Sequence, residues 1–373
     1  MHKKEIVIIG GGLAGLVCAI HLRKLGLEVL VIEKHQYPQH KVCGEYVSNE
    51  VLPYLKWLDC DPNTLLPTRI NYLSLSARNG EIVDCKLPLG GFGISRFALD
   101  NFLYTKAKLG GCEFLTDRVT NVSFENNGFV ITTSNNGDIS CSLAIGAYGK
   151  RSALDQKLQR RFMLNSSPWL AIKAHYKGEF DEDLVALHTF DGGYCGVSKV
   201  EKDLINICYL TEYKNFKTFR NINDFQERVL QENPHLKRIL ENSTMIFEQP
   251  MTIAQISFDE KEPVHNHMLM IGDTAGLIHP LCGNGMAMAI HGAKLCAELC
   301  KQFASEAIDR KALERRYTKT WDRNFKGRLF MGRVLSAVIR NKRMFEFLMV
   351  ILLKFPSVLP LIIRKTHGTP IPV

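Results

Sequence analysis

One unit near the start of the chain restricts its fold more than any other feature: strand, glycine turn, helix and second strand within about 30 residues. Residues 6–9 are wholly apolar and mostly β-branched, which suits a parallel strand buried on both faces. Gly10, Gly12 and Gly15 then give the spacing G-x-G-x-x-G. Residues 13–25 have helical spacing (Leu16, Ala19, Ile20, Arg23), Gly26 closes the helix, and residues 29–32 form a second buried strand that ends at Glu33. In such a unit the first glycine allows the tight turn, the second lets main chain approach a pyrophosphate, and the third lets helix pack on strand. The helix N-terminus supplies free N–H groups and the positive end of a dipole. Glu33, 18 residues after Gly15, stands where a carboxylate can accept hydrogen bonds from a ribose diol. The pattern alone is weak; the strand before it, the helix after it and the acid make it a dinucleotide site.

With 373 residues and 46% hydrophobic content the chain can bury a large core, enough for two domains or one elaborated domain. The opening residues pass straight into the first strand without room for a secretory signal, so a cytoplasmic location is expected. The eleven cysteines include no C-x-x-C pair, and reduced thiols without a metal site are expected. The net charge of +9 is local: from Arg323 onward there are ten basic residues and one acid, and the rest of the chain sums to zero. That asymmetry predicts a basic C-terminal surface and argues against a nucleic-acid-coating protein. Within this tail, residues 347–353 form a seven-residue apolar run, too short to span a bilayer. It fits an interfacial helix drawn to anionic lipid or a helical cap packed on the rest of the protein, and both readings stay open.

In between, residues 97–109 read as a helix, and 119–124, 129–133 and 139–144 as strands broken by Asn-Asn-Gly turns. From 169 to 213 alternating segments predict an antiparallel sheet with solvent or a ligand on one side. After a last apolar strand at 268–271 the chain is helical.

A second motif distinguishes among dinucleotides. Residues 270–276 read M-I-G-D-T-A-G, followed by His279-Pro280 and Gly283-Asn284-Gly285. This segment resembles the second FAD fingerprint of the p-hydroxybenzoate hydroxylase superfamily. The resemblance implies that Asp273 is a FAD ligand, that Pro280 and Gly283, Asn284 and Gly285 lie against the isoalloxazine, and that Arg96 is the family's arginine near the FAD phosphates. Asp273 also suits an N-cap role. Where the superfamily has G-A-D-G, residues 146–149 read G-A-Y-G. That acid is associated with handling FAD pyrophosphate and NAD(P)H, so Tyr148 weakens the implied role of NAD(P)H as electron donor.

Residues 41–48 match K-x-C-G-E-x-x-S, an element that resembles the geranylgeranyl reductases, in which the cysteine borders flavin and substrate. By that resemblance Cys43 is a candidate catalytic residue; a buried small hydrophobe is the plain alternative. Of the Y-x-W-x-F-P element that lines the lipid tunnel in that family only Tyr194 remains, as a second candidate, which suggests a pocket shaped for something other than a long polyprenyl chain. The W-x-W-x-I-P element of flavin halogenases is absent, which argues against halogenation. The resemblance implies an α/β protein with a Rossmann-like FAD-binding domain of glutathione reductase type (1–70, 96–165 and 265–320). An antiparallel-sheet substrate domain (71–95 and 166–264) and a basic, apolar helical C-terminal extension (321–373) complete it. The implied activity is FAD-dependent reduction of a carbon–carbon double bond in a small lipophilic isoprenoid- or polyketide-like substrate. FAD-dependent hydroxylation of an aromatic or polyketide substrate, or flavin binding at a membrane surface with little turnover, are the alternatives.

Overall fold

The computed structural model describes residues 2–219 and 221–373. Among these, two sheets organise the chain. The first has a parallel core in the order Glu113–Thr116, Val29–Glu33, His2–Ile9, Asp138–Gly146, Met268–Met270. The hairpin Val119–Glu125 and Gly128–Thr133 extends it antiparallel, as the Asn-Asn-Gly turns predict. Residues 6–9 are buried throughout, which is why the strand is apolar without alternation. Helix Leu13–Lys24 packs between Arg96–Leu109 and Gly285–Ala304. All five parallel strands end at one edge, and from that edge leave Gly10, Glu33, Ala147 and Gly272. Open parallel sheets take their ligands there.

The second sheet runs Ser243–Met245, Trp169–Gly178, Leu204–Glu212, Gly193–Val200, Leu184–Phe190, Thr68–Ser76, Ile82–Gly93, Tyr46–Ser48. Its pairs are antiparallel apart from Leu184–Phe190 with Thr68–Ser76. The loop at 41–45 leaves the first sheet and ends as an edge strand of the second, so it crosses the seam between them.

The sequence predicts solvent or a ligand on one side of this sheet, and the structure leaves no solvent-facing side at its Trp169–Gly178 strand. Trp169–Gly178 is buried over its first eight residues. The alternation is real, but both sides are covered. Leu170, Ile172, Ala174 and Tyr176 meet Phe225, Leu230, Leu236 and Ile239 from the helices Ile222–Arg228 and Pro234–Glu241 and the turn between them. Trp169 and Ala171 pack on the other side with Tyr194, Leu210, Ile256 and Leu277. The polar members of the second set, Lys173 and His175, face the seam and meet Glu45 rather than water.

The C-terminal region is helical as expected. In the 31-residue helix Arg310–Arg340, Leu313, Tyr317, Trp321 and Phe325 recur every fourth residue and are buried. The Tyr317 hydroxyl donates to the Met270 carbonyl at 2.6 Å, tying this helix to the end of the parallel sheet. Helices Lys342–Lys354 and Val358–Thr366 bury Phe345, Met349, Leu352, Leu359 and Ile363 against Val83 and Leu87. Their other side leaves Phe347 68%, Phe355 61% and Leu361 56% exposed, so the tail is a packed cap that carries a second, uncovered apolar face. No described helix is long and apolar enough to cross a membrane.

Candidate functional site

The glycine loop is built by close approach. Gly10 has φ +107°, and a Cβ there would stand 2.5 Å from the Ala147 carbonyl oxygen; a Cβ at Gly15 would stand 2.1 Å from the Gly10 oxygen. Neither position accepts a side chain. Gly12 occupies the N-cap of Leu13–Lys24 with no side-chain cap and no acid in the first turn. Its N–H groups are therefore free to bind an anion. A Cβ at Gly12 would lie 3.8 Å from both the Lys41 Nζ and an Arg96 Nη, so two cations converge on that helix end. Burial, then the neighbouring Arg96, pulls the Lys41 pKa down, which an anion would reverse. Arg96 is bound bidentately to buried Asp100 at 2.7 Å in both contacts. Burial works against its charge, but Asp100 holds its pKa above the ordinary value.

Glu33 is buried, accepting from the Gly11 N–H at 2.7 Å and the His35 N–H at 3.1 Å. A carboxylate has about four acceptor sites, so it orders the glycine loop and retains capacity for ribose hydroxyls. Tyr37, not singled out by its sequence context, donates to the Gly11 carbonyl and stacks on Tyr104 at 4.2 Å. This uncapped helix end with two cations and a carboxylate fits the pyrophosphate and ribose of FAD. Glu33→Ala should weaken FAD binding by about 1–3 kcal/mol, read by titrating apoprotein with FAD; an unchanged affinity would remove Glu33 from the site.

Asp273 lies in the turn Gly272–Thr274, and its carboxylate has no hydrogen-bond partner among the described residues. The N-cap reading of Asp273 does not hold: the following α-helix begins only at Gly285, with Asn284 at its N-cap. Gly272, at φ +60°, sits where a Cβ would be 2.8 Å from the Ala14 Cβ, so the two fingerprints touch at the sheet edge. Lys261 donates to the Asp273 and Lys150 carbonyls, both at 2.8 Å, and burial lowers its pKa to about 8. Pro280 opens a short turn that ends at Gly283, φ +60°, and Gly285 begins a helix whose N-terminus carries neither a side-chain cap nor an acid. The Asn284 amide is taken up by Glu50 (2.8 Å) and Arg328 (3.2 Å), so toward a cofactor it has only main chain to offer. Tyr148 folds over Gly146 with its hydroxyl 3.7 Å from the Met270 sulfur, filling the sheet end and supplying no carboxylate.

The Cys43 loop is fastened from several sides. Lys173 donates to the Lys41 carbonyl, Lys150 to Val42, and Asn206 to Cys43 and Gly44. The Cys43 thiol lies 3.6 Å from the Met286 sulfur, in the first turn of Gly285–Ala304. Beneath it, fully buried Glu45 receives Lys173 Nζ at 2.5 Å, His175 Nε2 at 2.6 Å and the Arg96 N–H at 2.8 Å. Burial alone would raise its pKa; His175 and Lys173 hold it below the ordinary carboxylate value. Glu45 adopts φ +55°, a left-handed conformation uncommon outside glycine.

Tyr194 is buried in Gly193–Val200. Its hydroxyl accepts from the Leu281 N–H at 3.0 Å and meets His279 Nδ1 at 3.1 Å. His279 was visible in the sequence only as part of the second fingerprint. It packs 4.4 Å from the Phe258 ring centroid, its Nε2 is buried without a partner, and burial, then Arg340, pushes its pKa down to about 3. Burial raises the Tyr194 pKa well above the ordinary phenol value. Both side chains are neutral at pH 7.

The model of the NAD(P)-binding Rossmann-like domain matches residues 8–67. Digeranylgeranylglycerophospholipid reductase 2 of Methanothermobacter thermautotrophicus is 23% identical over 92% of this chain and 88% of its own length. The solved structure of a flavin-dependent brominase superposes with a TM-score of 0.80 at 20% identity, over 98% of this chain and 93% of that one. A geranylgeranyl bacteriochlorophyll reductase-like protein from Thermoplasma acidophilum gives 0.72 at 19% identity, over 96% and 98%. With the two fingerprints meeting at one sheet edge, these likenesses support an FAD-dependent oxidoreductase, whose fold is similar to that of geranylgeranyl reductases and flavin halogenases.

Proposed function

We propose that the protein reduces a carbon–carbon double bond in a lipophilic isoprenoid- or polyketide-like substrate. The observation that carries this is the Cys43 loop: K-x-C-G-E is held across the seam by Glu45, with the thiol against the first turn of Gly285–Ala304. FAD, when bound, supplies a hydride for one alkene carbon, having been reduced by a two-electron donor such as NAD(P)H. Lys41, Arg96 and the free N–H groups at Gly12 would hold its phosphates, and Glu33 and Asp273 would be the carboxylates for its sugar and ribitol hydroxyls. Trp169, Leu210, Ile256 and Leu277, which cluster with Tyr194, would keep water from the reacting centre. The Tyr194 O–H, oriented by His279 Nδ1 at 3.1 Å, would give its proton to the neighbouring carbon, so the alkene gains one hydride and one proton; the phenol recovers its proton from solvent once product has left.

The test is anaerobic. Protein reduced with dithionite is mixed with a polyprenyl or polyketide alkene, and saturated product is sought by mass spectrometry together with flavin reoxidation. Reoxidation that needs oxygen and places an oxygen atom in the product would replace this reading with hydroxylation. Cys43→Ala should keep FAD bound and lower kcat and kcat/KM together by tenfold or more, about 1.4 kcal/mol. Unaltered rates with a stability loss of about 1 kcal/mol would show that the thiol only packs.

The exposed face of the C-terminal helices supports contact with an anionic lipid surface. Phe347, Phe355 and Leu361 stand out from it, with Lys342, Arg343, Lys354, Arg364 and Lys365 against the single acid Glu346. Each buried phenylalanine contributes about 1.5–3 kcal/mol. Phe347→Ser with Phe355→Ser should therefore reduce co-sedimentation with phosphatidylserine vesicles by tenfold or more. Equal sedimentation of both proteins, or none at low salt, contradicts it.

A further inference from the structure

A cavity of about 400 Å³ lies between the C-terminal helices and the strand Ile82–Gly93, outside the residues assigned to FAD. That volume is within the range of small-molecule sites. Its two halves differ in chemistry. Leu87, Leu89 and Ile363 give an aliphatic wall, while Arg323, Arg328 and Arg364 gather on the other side, and no Asp or Glu lines it. Arg328 is partly neutralised by Glu50 at 3.7 Å. Arg323 and Arg364 are exposed and have no hydrogen-bond or ion-pair partner among the described residues. Three guanidinium groups around one cavity, two of them unpaired, give it a positive field that favours an anion. A further lining residue, His367, has a buried Nε2 without a partner.

We infer that this cavity binds an anionic amphiphile, its phosphate or carboxylate head on Arg323 and Arg364 and the first part of its chain along Leu87, Leu89 and Ile363. Guanidinium forks suit either oxyanion, and an aliphatic wall has no use for a free inorganic ion. Arg364 is three residues from exposed Leu361 on one helix, so the cavity rim adjoins the apolar outer face. Inward, the Tyr46 ring lines the cavity and adjoins Gly283, where a Cβ would come 3.2 Å from Tyr46 Cδ1. An occupant therefore sits beside the second fingerprint without entering it. This inference holds whether the flavin reduces or oxygenates its substrate.

The experiment uses the full chain with FAD and isothermal titration calorimetry with decyl phosphate below its micelle concentration. Decanol and inorganic phosphate serve as separate titrants. Decyl phosphate is expected to bind at least tenfold more tightly than either, and Arg323→Gln with Arg364→Gln to weaken it at least tenfold. Because both arginines are exposed and unpaired, that variant should keep its FAD and its thermal midpoint. Leu89→Gln, also at an exposed position, should weaken decyl phosphate and leave the weak phosphate titration unchanged. Phosphate binding as tightly as decyl phosphate would make this a simple anion site, and decanol binding as tightly would make it a greasy slot; either overturns the inference. So does an arginine variant that binds normally. Loss of binding in Phe347→Ser with Phe355→Ser would locate the amphiphile on the outer face instead and overturn it too.

Discussion

Glu45→Ala is expected to destabilise the protein by about 3–5 kcal/mol, the scale for removing one partner of a buried ion pair. Lys173 would be left fully buried with only the Lys41 carbonyl, the Arg96 N–H would lose its acceptor, and His175 would lose its carboxylate. Denaturant unfolding followed by circular dichroism measures the loss. A paired replacement, Glu45→Leu with Lys173→Met, should cost less than the single change, because no charge is then stranded. A single change within about 1 kcal/mol of the parent would mean that the cluster does not bear on stability. The pH dependence has a definite sign. The folded pKa of Glu45 is depressed, so its contribution is complete above the unfolded carboxyl's pKa of about 4.3 and is lost as pH falls through the lower folded value. Acid unfolding should therefore begin at higher pH in the parent than in the paired variant, once the two are matched for stability at pH 7.

Tyr194→Phe is expected to lower turnover by about 10²–10⁴-fold, the usual range for losing a general acid. The ring and its apolar contacts remain, the Leu281 N–H loses its acceptor, and FAD-binding groups are untouched. Stopped-flow kinetics separates the steps. Flavin reduction by the electron donor should be unchanged, while reoxidation by the alkene slows. His279→Gln should slow the same step by less, since it alters the contact that orients the phenol and leaves the phenol itself. Slowing of both half-reactions to the same degree in Tyr194→Phe would point to a displaced flavin and remove Tyr194 from proton transfer.

The part of the site that sequence makes legible is local. Gly10, Gly12, Gly15 and Glu33 lie within one strand–helix–strand unit, and the close approaches that demand glycine at Gly10 and Gly15 are ones that spacing alone expresses. Arg96 was found through resemblance, and the structure adds what positions it: Ser95 caps its helix by accepting from the Ala98 N–H, and Glu45 holds its own N–H. The hub at Glu45 was out of reach because its partners lie 128 and 130 residues away, although Lys173 and His175 stand out as polar residues in an otherwise apolar strand. That same pair misled the reading of the sheet: alternation shows that two faces differ and cannot show that the polar one meets protein instead of water. Lys41 belongs to the motif read for its cysteine, and its convergence with Arg96 on Gly12 appears only once the loop is folded.

The distribution of polar contacts along the seam also bears on how such a protein could change its preference for one molecule over another. Glu45 joins three chain segments through charged contacts, so nearly any replacement there disturbs cofactor loop, cysteine and sheet together. The wall formed by Trp169, Leu210, Ile256 and Leu277 is apolar packing, where volume-conserving exchanges usually cost less than about 1.5 kcal/mol. If that wall borders the substrate, as the proposed reaction requires, selectivity can drift through it by small steps while the polar hinge stays intact. Diversity of substrates within one architecture needs no more than this separation of a rigid polar hinge from a forgiving greasy lining.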